Sequence, residues 1–310
     1  MSANNGMVND RLAGSRVATK DLASKDLAPG GWRSANAAAP ASPLRRIVHN
    51  LVAWIVVLTR APRAQPPRRG VAGFVVIGVA VAAIVASMFF VDAAAIDWAR
   101  HLPRWFVAAA DDITDLGLSS WFLYPLGFVL VYLAAVMTPS LPPMLYGALG
   151  VLAARFGFLF VAIGLPGLFV TIVKRVIGRA RPYVGIHDDP FAFIPFAWRP
   201  DYASMPSGHA ATVTTAAIAF GAIWPRLRLP LWLYAFVIMA TRIIIGVHHP
   251  SDVIAGALVG IVGALLVRRW FAARRLVFSA TDLRAYPGPS RSRLKAIART
   301  LVGRGVTRAK

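Results

Sequence analysis

VAGFVVIGVAVAAIVASMFFV, residues 71–91, runs for 21 residues without a charge or a proline. Coiled as a helix it is about 31 Å long, which matches the hydrocarbon core of a bilayer. It is the clearest membrane span in the chain, and it sets the fold class. The expected fold is all-α, a polytopic membrane helical bundle.

Working outward from that span, the same reading finds five more. Upstream, residues 47–59 are apolar but too short to cross, and Arg45, Arg46, Arg60 and Arg63 bracket them. They read as an interfacial helix. Downstream, residues 92–116 carry five Asp, two Arg and the Trp105-Phe106 pair, the pattern of an external amphipathic loop. Residues 121–137 form the second span. Arg155 interrupts the next apolar stretch, and a lone Arg at mid-bilayer is costly, so Arg155 is placed at the cytoplasmic face. Residues 156–173 then become span three, and 143–154 a short interfacial or re-entrant piece. Spans four, five and six fall at 210–224, 229–247 and 253–267. Four and six are short as apolar runs, so their outer ends must continue into the polar sequence before them. Gly256, Gly260 and Gly263 on span six permit close helix contact.

Composition supports the membrane reading and excludes an ordinary soluble domain. Hydrophobic residues make up 57% of the chain, mean hydropathy is +0.59, and only 15% of residues are charged. All the acids are Asp, and the formal net charge is +21. Residues 1–70 contribute +8 and residues 268–310 contribute +11, so the surplus sits at the two ends. Basic flanks around an apolar middle place both termini in the cytoplasm. Nothing in the tails reads bases, and nucleic acid is not expected as a partner. The absence of Cys excludes disulfides, thiol catalysis and Cys-based metal sites. The expected organisation is a disordered cytoplasmic tail (1–42), a basic interfacial segment (43–70), a six-helix membrane domain (71–270) and a basic cytoplasmic tail (271–310).

With six spans, three polar motifs fall on the outer face. The first runs from Lys174 to Arg181-Pro182. A seven-residue spacing puts Lys174 and Arg181 on one helical face two turns apart. Two cations so placed suit a phosphate, although taken alone they are better read as snorkelling anchors at a membrane edge. The second is Pro206-Ser207-Gly208-His209, directly before span four. Ser207 is a good N-cap, Gly208 admits a ligand to the backbone, and free N–H groups at a helix start favour an anion. His209 could donate a proton there, or be an ordinary interfacial His. The third holds Arg242, His248 and Asp252. One helical turn brings Asp252 to His248, where a carboxylate on one ring nitrogen leaves the other as a nucleophile. A structural His–Asp pair is the competing reading. His249 fits no such spacing and reads as scaffold. The loop cluster His187-Asp188-Asp189 is too closely spaced for a metal site and reads as solvated.

Together these segments resemble the signature of the type-2 phosphatidic acid phosphatase family, whose core is shared with vanadium haloperoxidases. That pattern is Lys-x6-Arg-Pro, then Pro-Ser-Gly-His, then Ser-Arg-x5-His-x3-Asp. The one departure is Thr241 where the family usually has Ser. The resemblance covers roughly residues 71–270. It implies a phosphate clamp of Lys174, Arg181 and Arg242, helped by Ser207 and the Gly208 backbone. It also implies attack on phosphorus by His248 to give a phosphohistidine, with Asp252 orienting the ring. His209 would protonate the leaving group and then activate water. It implies no metal and no cofactor, since three cations can take the metal's part. The expected enzyme is an integral-membrane lipid phosphatase at the outer face, in a bacterial inner membrane. Undecaprenyl pyrophosphate, phosphatidate, phosphatidylglycerol phosphate and lipid A stay open as substrates. A lipid phosphotransferase using the same site, or a non-enzymatic protein that binds anionic lipid, are the alternatives. Phe191, Phe193, Phe196 and Trp198 could touch acyl chains or sit at the interface. The sequence leaves the oligomeric state undetermined.

Overall fold

The computed structural model describes residues 42–66, 71–184 and 189–288, together with Ser292, Lys295 and Arg299. Residues 1–41 of the expected disordered tail, residues 289–291, 293–294, 296–298 and 300–310 of the basic C-terminal tail, and His187 and Asp188 of the loop cluster lie outside the described residues. Among those described, the chain is all-helical: α1 (Pro43–Thr59), α2 (Val71–Phe90), α3 (Asp92–Arg100), α4 (Arg104–Thr114), α5 (Ser120–Val136), α6 (Pro143–Ile177), α7 (Gly208–Ile223), α8 (Arg228–Ile244) and α9 (Pro250–Ala273). Five segments are long and apolar enough to cross a membrane: 73–90, 104–136, 143–177, 225–244 and 250–273. The sixth expected span is α7, an apolar helix of 16 residues.

α7 is the axis of the bundle. Its sequence is mostly Ala, Thr and Gly, and it is buried on nearly every side between α6, α8 and α9. Small side chains let the backbones approach, as helix association in lipid requires. α9 reciprocates with its glycines. A Cβ at Gly256 would run into the Ser207 carbonyl, and one at Gly260 into Thr214 and the Ala211 carbonyl, both on α7. A Cβ at Gly263 would meet Pro166 of α6. These three glycines therefore act in packing, as expected. Beyond α7, Phe158 of α6 stacks edge-on against Phe271 and Phe278, with ring centroids 5.3 and 4.7 Å apart. In contrast, α2 turns Phe74, Val75, Val76 and Val79 outward, as a helix facing lipid would.

Two expectations need correction. Residues 143–154 are no separate piece, because α6 is one continuous 35-residue helix from Pro143 to Ile177. A charge does not end a helix, and the Arg155 guanidinium finds the Tyr286 carbonyl at 2.5 Å. Twenty-two residues separate Arg155 from Ile177, roughly 33 Å of helix, so α6 can span a bilayer with Arg155 at its far edge. Residues 92–116 are likewise helical rather than looped: α3, α4 and a 3-10 turn at Asp115–Gly117. This segment is drawn in over the bundle, with Asp92 and Thr114 buried. The apolar stretch 47–59 lies in a helix, α1, capped by Ser42 and holding buried Asn50 against the Ala134 and Met137 carbonyls of α5's end.

Candidate active site

The three motifs meet at one end of the bundle. α6 stops at Ile177 because Gly178 takes a left-handed conformation (φ +65°) in contact with the Ile194 carbonyl. Lys174 thus lies in the last turn of α6, whereas Arg181 lies beyond the helix, its N–H bonded to the Asp201 carbonyl at 2.8 Å. The two cations do not share a helical face, as the spacing had predicted; a Gly-terminated turn carries Arg181 to the site instead. Ser207 occupies the N-cap of α7, but its hydroxyl makes no cap bond. Its N–H donates instead to the Asp252 carbonyl at 2.9 Å, which ties the second motif to the third. Arg242 sits in the last turn of α8, and Gly246 (φ +67°) turns the chain so that His248 precedes α9.

His248 and Asp252 are neighbours, with Nδ1 3.6 Å from Oδ2. Ser204 bridges them, donating to Asp252 Oδ2 at 2.5 Å with its hydroxyl 3.5 Å from His248 Nδ1. The imidazole therefore turns Nδ1 towards the carboxylate, which leaves Nε2 for substrate. Burial pushes the His248 ring down from its ordinary value to about 4, and Arg242 and Arg181 push the same way while Asp252 opposes them. The ring is neutral near pH 7, as a nucleophilic nitrogen must be. His249 is the N-cap of α9; its N–H donates to Asp252 Oδ2 at 2.9 Å, and its Nδ1 lies 3.5 Å from the same oxygen.

Around this pair lie polar atoms that no described residue satisfies. Arg181 Nε, Ser207 Oγ, His209 Nε2 and Arg242 Nε are buried without a hydrogen-bond partner among the described residues. Lys174, Arg181, Arg242 and His248 all bear electrostatically on His209. Unpaired buried donors gathered beside several cations form a site made for an anion. A cleft of about 700 Å³ opens alongside, lined among others by Arg100, Arg104, Asp111, Pro182, Tyr183 and Val247. Thr241, the departure from the expected pattern, turns its hydroxyl away to the Ile238 carbonyl and Thr114. Phe191, Phe193, Phe196 and Trp198 are exposed beside the site.

Besides Ser204, sequence reasoning missed three residues. Arg179 is fully buried and sits between two carboxylates: Nη1 lies 2.5 Å from Asp252 Oδ1, and Nη2 lies 2.8 Å from Asp92 Oδ2. Asp92, also fully buried, accepts from Ser87 Oγ (3.0 Å), Ser251 N (3.0 Å) and Ser251 Oγ (2.5 Å). Thr114 accepts a bond of 2.8 Å from Arg242 Nη1. One signal did exist for Asp92. It is the first charge after the longest stretch of the membrane domain that holds neither a charge nor a proline.

The segment 155–276, which encloses the expected site residues Lys174, Arg181, Ser207, Gly208, His209, Arg242, His248 and Asp252, matches the model of the PAP2 superfamily. The chain is also 34% identical over 176 residues to the lipid A 1-phosphatase of Rhizobium johnstonii, covering 54% of this chain and 68% of that protein. The chain belongs to the PAP2 superfamily. A second lipid A 1-phosphatase, from Rhizobium etli, is 39% identical over 122 residues, 39% of this chain and 52% of that protein. Among solved structures, Aquifex aeolicus LpxE is similar at 25% identity and a TM-score of 0.39, over 54% of this chain and 88% of that one. This PAP2 protein is an integral-membrane lipid phosphatase. Asp92 and Thr114, which hold Arg179 and Arg242, lie outside the segment the PAP2 model matches.

Proposed function

We propose that this phosphatase removes a phosphate monoester from a glycolipid of the lipid A type, at the outer face of a bacterial inner membrane. The observation that carries the reading is the group of unpaired donors around a neutral His248. Lys174, Arg181, Arg242, Ser207 and the Gly208 backbone hold the phosphate. His248 Nε2 attacks phosphorus as the bond to the sugar oxygen breaks, and His209 passes a proton to that oxygen. Asp252 holds Nδ1–H and balances the charge that the ring gains. Water then attacks the phosphorus–nitrogen bond and yields its proton to His209, which frees phosphate and restores neutral His248. The cations supply the charge stabilisation that dominates phosphoryl transfer.

Two observations favour a glycolipid over a small headgroup. Both rhizobial relatives are lipid A 1-phosphatases. The cleft beside the site also has room for a sugar headgroup and presents Arg100 and Arg104 to it. The basic ends support the outer face, since they favour the cytoplasm and would leave the motifs on the opposite side. The test is phosphate release by the purified protein in detergent, from lipid A, undecaprenyl pyrophosphate, phosphatidate and phosphatidylglycerol phosphate. Lipid A is expected to be the best substrate. His248→Ala should lower turnover on the order of a thousandfold or more, and His209→Ala roughly a hundredfold or more. Preference for phosphatidate, or full activity in His248→Ala, would overturn this reading.

A further inference from the structure

Asp252 faces two claims at once. Its Oδ2 receives Ser204 Oγ and the His249 N–H and lies nearest His248 Nδ1, while its Oδ1 is taken by Arg179. Arg179 is in turn divided, since its other terminal nitrogen belongs to Asp92. The Arg179 side chain and both carboxylate side chains are wholly shut off from solvent, so no water screens the three charges from one another. Two carboxylates against one guanidinium leave a single negative charge, and His248 is the group beside it that can change its charge.

We propose that Asp92 is a positioning residue of the reaction, which through Arg179 keeps the carboxylate of Asp252 available to His248. Without a competing carboxylate, Arg179 would neutralise Asp252 fully, and the ring would lose its counter-charge as phosphorus bonds to Nε2. With Asp92 present, Arg179 is shared, and Asp252 keeps its charge for the imidazolium-like phosphohistidine. The device also joins distant parts of the chain. Asp92 begins α3 and is held by Ser87 of α2 and Ser251 of α9, so the α2–α3 elbow is tied to the helix that carries Asp252. It rests on the reading of His248 as nucleophile.

The charged groups that bear on His248 are few. Asp252 and His249 belong to α9, Arg242 to α8, His209 to α7 and Lys174 to α6; Arg179 and Arg181 belong to the segment after α6. Asp111 and Asp115 act on Arg242. Of these, only Arg179 links His248's carboxylate to a second buried acid.

The charge count gives an ordered test that a merely structural role would not reproduce. The acid limb of kcat/KM is measured with one lipid phosphate substrate, so that substrate ionisation is common to all variants. Asp92→Asn, which removes the competing charge, should move the limb to lower pH by about one unit and reduce kcat with KM little changed. Arg179→Gln should move it to higher pH. The double variant Asp92→Asn/Arg179→Gln restores the single negative charge and should return the limb close to wild type. If these variants do not fold, Ser87→Ala serves instead. It strips a donor from Asp92, tightens that residue's hold on Arg179, and should shift the limb upward by a few tenths of a unit. Unshifted limbs in folded variants, or shifts of one sign throughout, would overturn the proposal. His248→Ala separates the two levels. An inactive His248→Ala with unordered limbs refutes the Asp92 device alone, whereas an active one refutes the reading of the site beneath it.

Discussion

His248 sits where one proton changes both the chemistry and the stability of the fold. Its ring is buried beside Asp252, and burial lowers its proton affinity to about 4. In the unfolded chain the same ring titrates near 6.5. Between these values the unfolded state binds a proton that the folded state refuses, so stability is full above about pH 6.5 and declines as pH falls towards 4. The melting temperature in detergent should therefore fall across that window, and His248→Gln should flatten part of the decline. An equal decline in both proteins would show that His248 is not the group responsible. The buried cations follow a related logic. Removing one partner of a buried ion pair strands the other, at a cost of about 3–5 kcal/mol. Arg179→Ala would strand two carboxylates, Asp92 and Asp252, and should be among the most damaging single changes in the protein.

Helix elements in this protein are shaped by what they must approach. α7 can lie at the centre only because α9 offers it glycine, and Gly260 meets both Thr214 and the Ala211 carbonyl. Gly260→Leu should cost about 1–3 kcal/mol through overpacking and should lower activity by displacing α7 from α9. A melting temperature within a degree of wild type would contradict that packing. Elements were also where the sequence was most and least legible. The span at 71–91 emerged as α2 (Val71–Phe90), since twenty uncharged residues have few other fates. The spacing of His248 and Asp252 foretold their contact, because a single turn is a local matter. Arg155 obscured the continuity of α6, since its partner, the Tyr286 carbonyl, lies 131 residues away in sequence. Arg179 lay between the two cations that the first motif singled out, with no spacing to mark it, and Asp92 looked like the first residue of a loop. Their meeting depends on the chain crossing the bundle repeatedly, and no local pattern encodes it.

At the scale of the whole molecule, charge divides into two populations. The tails carry nearly all of the net +21, the surplus from which a cytoplasmic placement of both ends is expected. The charges of the proposed site leave a local surplus of two positive charges for a phosphate: Lys174, Arg179, Arg181 and Arg242 face Asp92 and Asp252 in a site built from α3, α6, α7, α8 and α9. Such a site suits the PAP2 mechanism only if the phosphoryl group passes through His248. The most direct measurement is therefore to quench the enzyme rapidly during turnover of a lipid labelled with ³²P at its phosphate, digest it under alkaline conditions, and locate the label by mass spectrometry. The account predicts an acid-labile phosphate on the peptide carrying His248, absent in His248→Ala and accumulating in His209→Ala. Label on another residue, or unimpaired turnover by His248→Ala without any phosphoenzyme, would contradict it.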